Sequence, residues 1–294
     1  MIDVTYSDWK TIQHGVPQGS IFRPLLFNLF INDLTYSVDD AKLRLYADDT
    51  TLYLSHPNQD VLESRSQSKF DVLKSWFTCN YLSINESKTK VLPLGDNPPY
   101  YELLADRTRP PLEVAHDMKL LGLTIDSSLS FKAHIKSVCS KVDVKVSPRR
   151  RVRKFVPSEV MVNIYKALIL PHLEYCALVL VGLSSGLSNK LELTNQYAIR
   201  TLLNMAKSNS YSDLLTYVGL TTLEHRRFSH ALSFFTNAYT IWGRIILKRW
   251  SYFVIMNMTS EASASLISLS ILPDSCIGHT SMSLQDYGII CLTM

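Results

Sequence analysis

The tetrapeptide Tyr46-Ala47-Asp48-Asp49 constrains this chain more than any other feature. It lies in the middle of Leu43–Leu54, where short apolar runs flank the two acids on both sides. That pattern predicts two short strands meeting at an acidic turn. Side chains alternate along a strand, so two neighbouring carboxylates cannot both face one way without help from the turn. One is then placed to bind a divalent metal, and the other to sit at its edge. Phosphoryl transfer by two metals needs carboxylates clustered so that ions about 3.5–4 Å apart clamp the attacking and leaving oxygens. Aspartate is also a common turn residue, and the pair taken alone reads as an ordinary acidic hairpin.

A second motif lies just upstream. Gly15-Val16-Pro17-Gln18-Gly19 has the composition of a loop, with two glycines around a proline. Ser20 is a fair N-cap, and Ile21–Leu34 follows at helical spacing, with Pro24 tolerable near the first turn. A loop of this kind lets backbone approach a ligand closely, and the helix behind it offers its N-terminus to phosphate.

The rest of the chain divides by pattern. Val4–His14 reads as an extended strand and Val61–Asn80 as a helix with Leu62, Phe70, Leu73, Trp76 and Phe77 on one face. Tyr81–Gly95 reads as strand-like, Asn97-Pro98-Pro99 as a breaker, and Lys119–Asp126 as a short strand with Gly122 inside it. Beyond Ser130 the pattern turns helical, over Phe131–Lys145, Pro157–Leu170, Leu187–Ala206 and Thr222–Ala238. The expected fold class is α+β: an antiparallel palm-type sheet with packed helices, followed by a mostly helical thumb. The Pro148–Arg153 stretch is the expected boundary, giving units at 1–147, 148–242 and a divergent tail at 243–294.

The order and spacing of these blocks resemble the reverse transcriptases of non-LTR (LINE-type) retrotransposons. The carrying residues are Gly15-Val16-Pro17-Gln18-Gly19-Ser20, then Pro24-Leu25-Leu26-Phe27-Asn28, then Tyr46-Ala47-Asp48-Asp49. Trp76, Asn80–Asn85 and Lys88-Thr89-Lys90 are similar to the next palm block. Lys119–Asp126 resembles the hairpin that grips the primer end. His134-Ile135, Leu168–Cys176 and Leu223–Arg227 are similar to the thumb side.

The resemblance implies an RNA-directed DNA polymerase using two Mg²⁺ ions, or Mn²⁺, with an RNA template, a DNA primer and deoxynucleoside triphosphates as partners. By it, Asp48 is a metal ligand and Asp49 a more peripheral one. Gly15, Pro17, Gln18 and Gly19 line the template and incoming-nucleotide site. Tyr46 packs near the primer terminus, and Leu121 and Gly122 belong to the primer grip. Lys88 either approaches the triphosphate, where a cation stabilises departing pyrophosphate, or is a solvated lysine at a strand edge. The basic run Arg149, Arg150, Arg151, Arg153 and Lys154 tracks a phosphate backbone at the start of the thumb.

The chain departs from the family pattern in three places. The family's first catalytic carboxylate sits on an earlier strand, and neither Asp3 nor Asp8 stands where it belongs. Arg23 replaces a usual glycine before Pro24, and residues 243–294 show no resemblance. The expectation is therefore a palm-and-thumb part, inactive on its own. The alternatives are a non-catalytic nucleic-acid-binding module or a relic that leaves apolar palm surface uncovered.

Composition bounds the remainder. Among 294 residues the hydrophobic share is 46% and the net charge only +4, so charge acts locally rather than through the whole chain. Five cysteines, Cys79, Cys139, Cys176, Cys276 and Cys291, show no zinc-ligand spacing, which fits free thiols in a reducing compartment. Met1–Lys10 lacks a basic and apolar leader pattern, so a nuclear or cytoplasmic rather than secreted protein is expected. The apolar stretches Ile164–Leu183 and Phe228–Met256 are interrupted by charge, and no membrane span is expected.

Overall fold

A computed structural model describes residues 19–95, 103–104, 110–242 and 288–293, with backbone alone for 239–242 and 288–293. The expected strand Val4–His14, the loop residues Gly15–Gln18 and the breaker at Asn97-Pro98-Pro99 lie outside the described residues.

The acidic hairpin forms as the sequence dictates. Strand β1 (Lys42–Tyr46) pairs antiparallel with β2 (Asp49–His56), Tyr46 opposite Asp49, leaving Ala47 and Asp48 as the tip. Ala47 takes a positive φ of 52°, the left-handed conformation that a two-residue hairpin turn demands. Helix α1 (Arg23–Ile31) precedes the hairpin and runs into a 3-10 turn at Asn32–Tyr36. Ser20 does not cap it through its side chain; Phe22 holds the N-cap position, and Ser20 contributes its carbonyl to Arg23 N–H at 3.2 Å. Proline at the first turn is accommodated as expected.

Helix α2 (Gln59–Cys79) agrees closely with its sequence pattern. The Asn58 side chain accepts from Val61 N–H at 3.0 Å, closing the N-terminus. Leu62, Phe70, Leu73 and Phe77 are buried and Trp76 packs beside them. Gln67 also exchanges two hydrogen bonds with the Leu104 backbone, at 2.9 and 2.8 Å, fastening a connecting segment to the helix. Only the end of Tyr81–Gly95 is a strand, β3 (Lys90–Leu94). The preceding residues turn around Asn85, whose carbonyl accepts from Lys88 and Thr89 N–H at 3.0 Å each.

The large sheet has the order β1-β2-β7-β3-β4, with β4 at Glu113–Val114 and β7 at Gly288–Thr293. It is antiparallel except for the short β3–β4 pair, which is parallel. The central strand therefore comes from the region expected to be a divergent tail. β7 pairs with β2 from Thr51 to His56 and with β3 from Lys90 to Leu94, so two strands that never touch each other are joined through it.

Lys119–Asp126 is two strands, not one. β5 (Asp117–Leu120) and β6 (Leu123–Asp126) form a separate antiparallel hairpin whose tip is Leu121-Gly122. Glycine at φ +88° is what lets the chain reverse there, which alternation alone did not reveal. The Asp126 carboxylate then organises the entry to helix α3 (Lys132–Val152). It accepts from Ser130 N–H at 2.8 Å, Phe131 N–H at 2.7 Å and Ser128 Oγ at 2.8 Å.

Helix α3 extends beyond the expected Lys145, and Pro148–Arg153 is helical or at the helix end rather than a linker. Pro148 removes one N–H from the ladder. The Arg149 guanidinium donates to the neighbouring Lys145 carbonyl at 2.5 Å, supporting the turn that the proline weakens. The remaining helices are α4 (Ser158–Leu168), α5 (Leu170–Glu174), α6 (Ser185–Leu203), α7 (Tyr211–Val218) and α8 (Leu223–Trp242). No helix among the described residues is long and apolar enough to cross a membrane.

Two hydrophobic clusters fill the described structure. One joins α1, β1, β2 and α2 through Ile31, Leu43, Leu52, Leu54 and Phe70. The other joins β3, the small hairpin and the helices through Leu92, Leu94, Met118, Ile135, Tyr165 and Ile199. The α+β class expected from sequence therefore holds.

Asp126 supplies the prediction for this region. Burial raises its pKa, but the backbone bond from Ser130, then the Ser128 and Phe131 bonds, outweigh that and leave it below the ordinary 3.8. A depressed carboxylate stabilises the fold fully above its unfolded value, and that contribution disappears as pH falls through the lowered value. Asp126→Ala should lower unfolding free energy in urea by about 1–2 kcal/mol at neutral pH. The gap between variant and wild type should shrink as pH falls below about 4.

Candidate active site

The two acids come together at an exposed hairpin tip. Asp48 is in the turn and Asp49 opens β2, and both face solvent alongside Tyr46, which is 67% exposed. Their oxygens are hard donors of the kind that Mg²⁺ and Mn²⁺ take. Among the described residues no group of three His, Cys, Asp or Glu side chains could hold a metal.

The second hairpin is held by a residue that sequence reading gave no site role. Tyr175, just after α5, donates from its hydroxyl to the Leu121 carbonyl, across 54 residues of sequence. A Cβ on Gly122 would lie 3.2 Å from the same hydroxyl, so the tip and the phenol fit against each other only because position 122 is glycine. Burial, then the neighbouring Cys176, then Tyr46 push the Tyr175 phenol above its usual pKa. No periodicity encodes this contact, because it joins a hairpin to a helix end through a single hydroxyl.

His134 ties the same hairpin to α3. Its Nδ1 accepts from the Thr124 N–H at 3.3 Å, which requires the neutral ring with its proton on Nε2. Burial, then the charge of Lys141, hold its pKa below 6.5, in keeping with that neutral form. Glu174, adjacent to Tyr175, is paired with Arg226 of α8, so α5 is anchored from both sides.

The other expected residues are dispersed. Gly19 is exposed, with φ +84°, at the entrance to α1, while Gly15, Pro17 and Gln18 lie outside the described residues. Lys88 is exposed in a turn before β3 rather than at a strand edge. The basic run sits where α3 ends. Arg149 and Arg153 are half-buried, bonded to the carbonyls of Lys145 and Thr201, while Arg150, Arg151 and Lys154 face solvent. The run is thus a pair of pinned arginines and three outward cations, a split the sequence could not show.

Two substitutions test the joint at Tyr175. Tyr175→Phe should speed amide hydrogen exchange at residues 121–123 while leaving the global melt nearly unchanged, since one partly exposed hydrogen bond contributes about 1 kcal/mol. Gly122→Ala should destabilise by about 1–3 kcal/mol, because it forces a side chain into a left-handed conformation. Unchanged exchange in Tyr175→Phe would show that the hydroxyl does not hold the hairpin.

Comparison with known proteins agrees with the geometry. Residues 2–125 match the family model described as reverse transcriptase (RNA-dependent DNA polymerase). The chain is 25% identical over 213 residues to the RNA-directed DNA polymerase from mobile element jockey of Drosophila melanogaster, covering 68% of this chain and 23% of that relative. It is 30% identical over 147 residues to the probable RNA-directed DNA polymerase from transposon BS of the same species, covering 45% and 16%. A retrovirus-related Pol polyprotein from a type-1 retrotransposable element of Nasonia vitripennis is 25% identical over 147 residues, covering 48% and 44%. The chain spans under a quarter of the length of the first two relatives. No solved structure matches it at a significant level. The matched segment contains the Asp48-Asp49 hairpin and nearly all of the β5–β6 hairpin, and with these relatives it makes the chain similar to the reverse transcriptases of non-LTR retrotransposons.

Proposed function

We propose that this chain is the palm-and-thumb portion of an RNA-directed DNA polymerase, with residues 1–147 as a partial palm and 148–242 as a helical thumb. The observation that carries the reading is the Asp48-Asp49 pair at a two-residue hairpin tip inside the segment that matches reverse transcriptases. Asp48 and Asp49 would hold Mg²⁺ or Mn²⁺, which when bound supplies positive charge for the oxygens exchanged in nucleotidyl transfer.

The protein's own residues position the substrates. Leu121 and Gly122, held by Tyr175, take the primer end beside Tyr46. Gly15, Pro17, Gln18 and Gly19 line the template and nucleotide side, with RNA as template and deoxynucleoside triphosphates as substrates. Lys88, exposed and cationic, is available to the triphosphate. Arg150, Arg151 and Lys154 meet the backbone of the template–primer duplex, with Arg149 and Arg153 holding the helix end that presents them.

A second reading, a nucleic-acid-binding module without catalysis, draws on those same outward cations. One experiment separates the two. Primer extension on an RNA template with Mg²⁺ or Mn²⁺ is compared between the chain and its Asp48→Ala, Asp49→Ala double variant, alongside duplex binding. Duplex binding with extension that the double variant abolishes is the result for the polymerase reading, and it would show that two palm carboxylates suffice where an inactive part is expected. Salt-sensitive binding with no extension in either protein is the result for the module. Absence of both binding and extension overturns both readings.

A further inference from the structure

The turn between α3 and α4 projects an aromatic ring that fills no core. Phe155 is 85% exposed, the most exposed phenylalanine of the described residues. Its backbone is nevertheless fixed. Phe155 N–H donates to the Val152 carbonyl at 2.9 Å, and Arg153 N–H to that of Arg149 at 3.1 Å. The Arg153 guanidinium reaches across to the Thr201 carbonyl of α6, and Val156, the next residue, packs against the core. Pro157 then sets the start of α4. The ring is thus held out from a turn secured on both sides.

Its surroundings are cationic. Arg150, Arg151 and Lys154, close to it in sequence, are exposed, and no acidic residue occurs between Asp143 and Glu159. An exposed flat ring within a run of exposed cations fits a ligand with a π face and a phosphate chain. Bases inside a duplex already stack on one another, whereas an unpaired base offers its face to a side chain. Phe155 and the half-exposed Val152 among these charges are also too small an apolar area for a protein interface core.

We propose that Phe155 is a stacking platform for an unpaired base of single-stranded RNA or DNA, with Arg150, Arg151 and Lys154 on the adjoining phosphates. This deepens the reading of the basic run as a phosphate-contacting surface and rests on it. It adds a site for the strand outside the duplex, at the junction of α3 and α4 rather than at the carboxylate hairpin.

The test is fluorescence anisotropy on a labelled single-stranded RNA and on a blunt duplex of equal length, across a salt series. The proteins are the full chain, Phe155→Ala, Phe155→Trp, and the triple variant Arg150→Ala, Arg151→Ala, Lys154→Ala. Phe155→Ala should weaken single-strand binding about tenfold, leave its salt slope unchanged and spare the duplex. Phe155→Trp should restore binding, which also excludes a folding defect. The triple variant should flatten the salt slope. Binding lost in the triple variant but intact in Phe155→Ala overturns the platform and leaves the phosphate surface standing. An equal loss on single strand and duplex overturns stacking as the mechanism. A wild-type chain that binds neither ligand overturns the platform together with the reading beneath it.

Discussion

The two-sidedness of β2 and β3 is the constraint on which the described structure depends. Along β3, Val91 enters the cluster with α2, while Leu92 and Leu94 enter the cluster with the helices. Along β2, Leu52 and Leu54 face the first cluster and Tyr53 packs against the second. Period-two alternation therefore makes one sheet the wall between two cores. The acidic hairpin tip extends from the edge of that wall, and the Leu121-Gly122 hairpin belongs to the core on its other side. Tyr175 fastens the Leu121-Gly122 tip to the end of α5 with one hydroxyl.

Much of this was legible in the sequence because it is local. The hairpin at residues 42–56 and helix α2 follow from turn chemistry and periodicity within their own segments. Helix α7 went unread, although Ser210 and Asp213 form a capping box that marks its start. Helix α3 runs past the expected Lys145 because Arg149 supports from its side chain the turn that Pro148 weakens. The central position of β7 was beyond reach, since it pairs with residues 195 to 242 positions earlier and no local pattern specifies a partner strand. Tyr175 is the same problem at the scale of one side chain.

Helix α1 shows where pattern and surroundings disagree. Its sequence is apolar all round, which ordinarily marks a buried helix. Here Phe27 and Ile31 reach the core, but Ile21 (91% exposed), Phe22, Leu25 and Leu29 face outward. The described residues leave this face without cover. An apolar face of this kind favours association over solvation.

Charge works in this protein at short range. A net charge of +4 spread over 294 residues generates little long-range field. At physiological ionic strength the Debye length is about 8 Å, so distant charges contribute little in any case. What matters is that Arg149 and Arg153 spend their guanidinium groups on carbonyls of α3 and α6, holding Arg150, Arg151 and Lys154 outward on a rigid helix end. Preorganised cations lose less freedom on meeting a phosphate than cations on a loose linker would. The helical continuation past Pro148 thus makes the basic run a structured surface. The same continuation sets Phe155 at a fixed place beside those cations, instead of on a mobile strand.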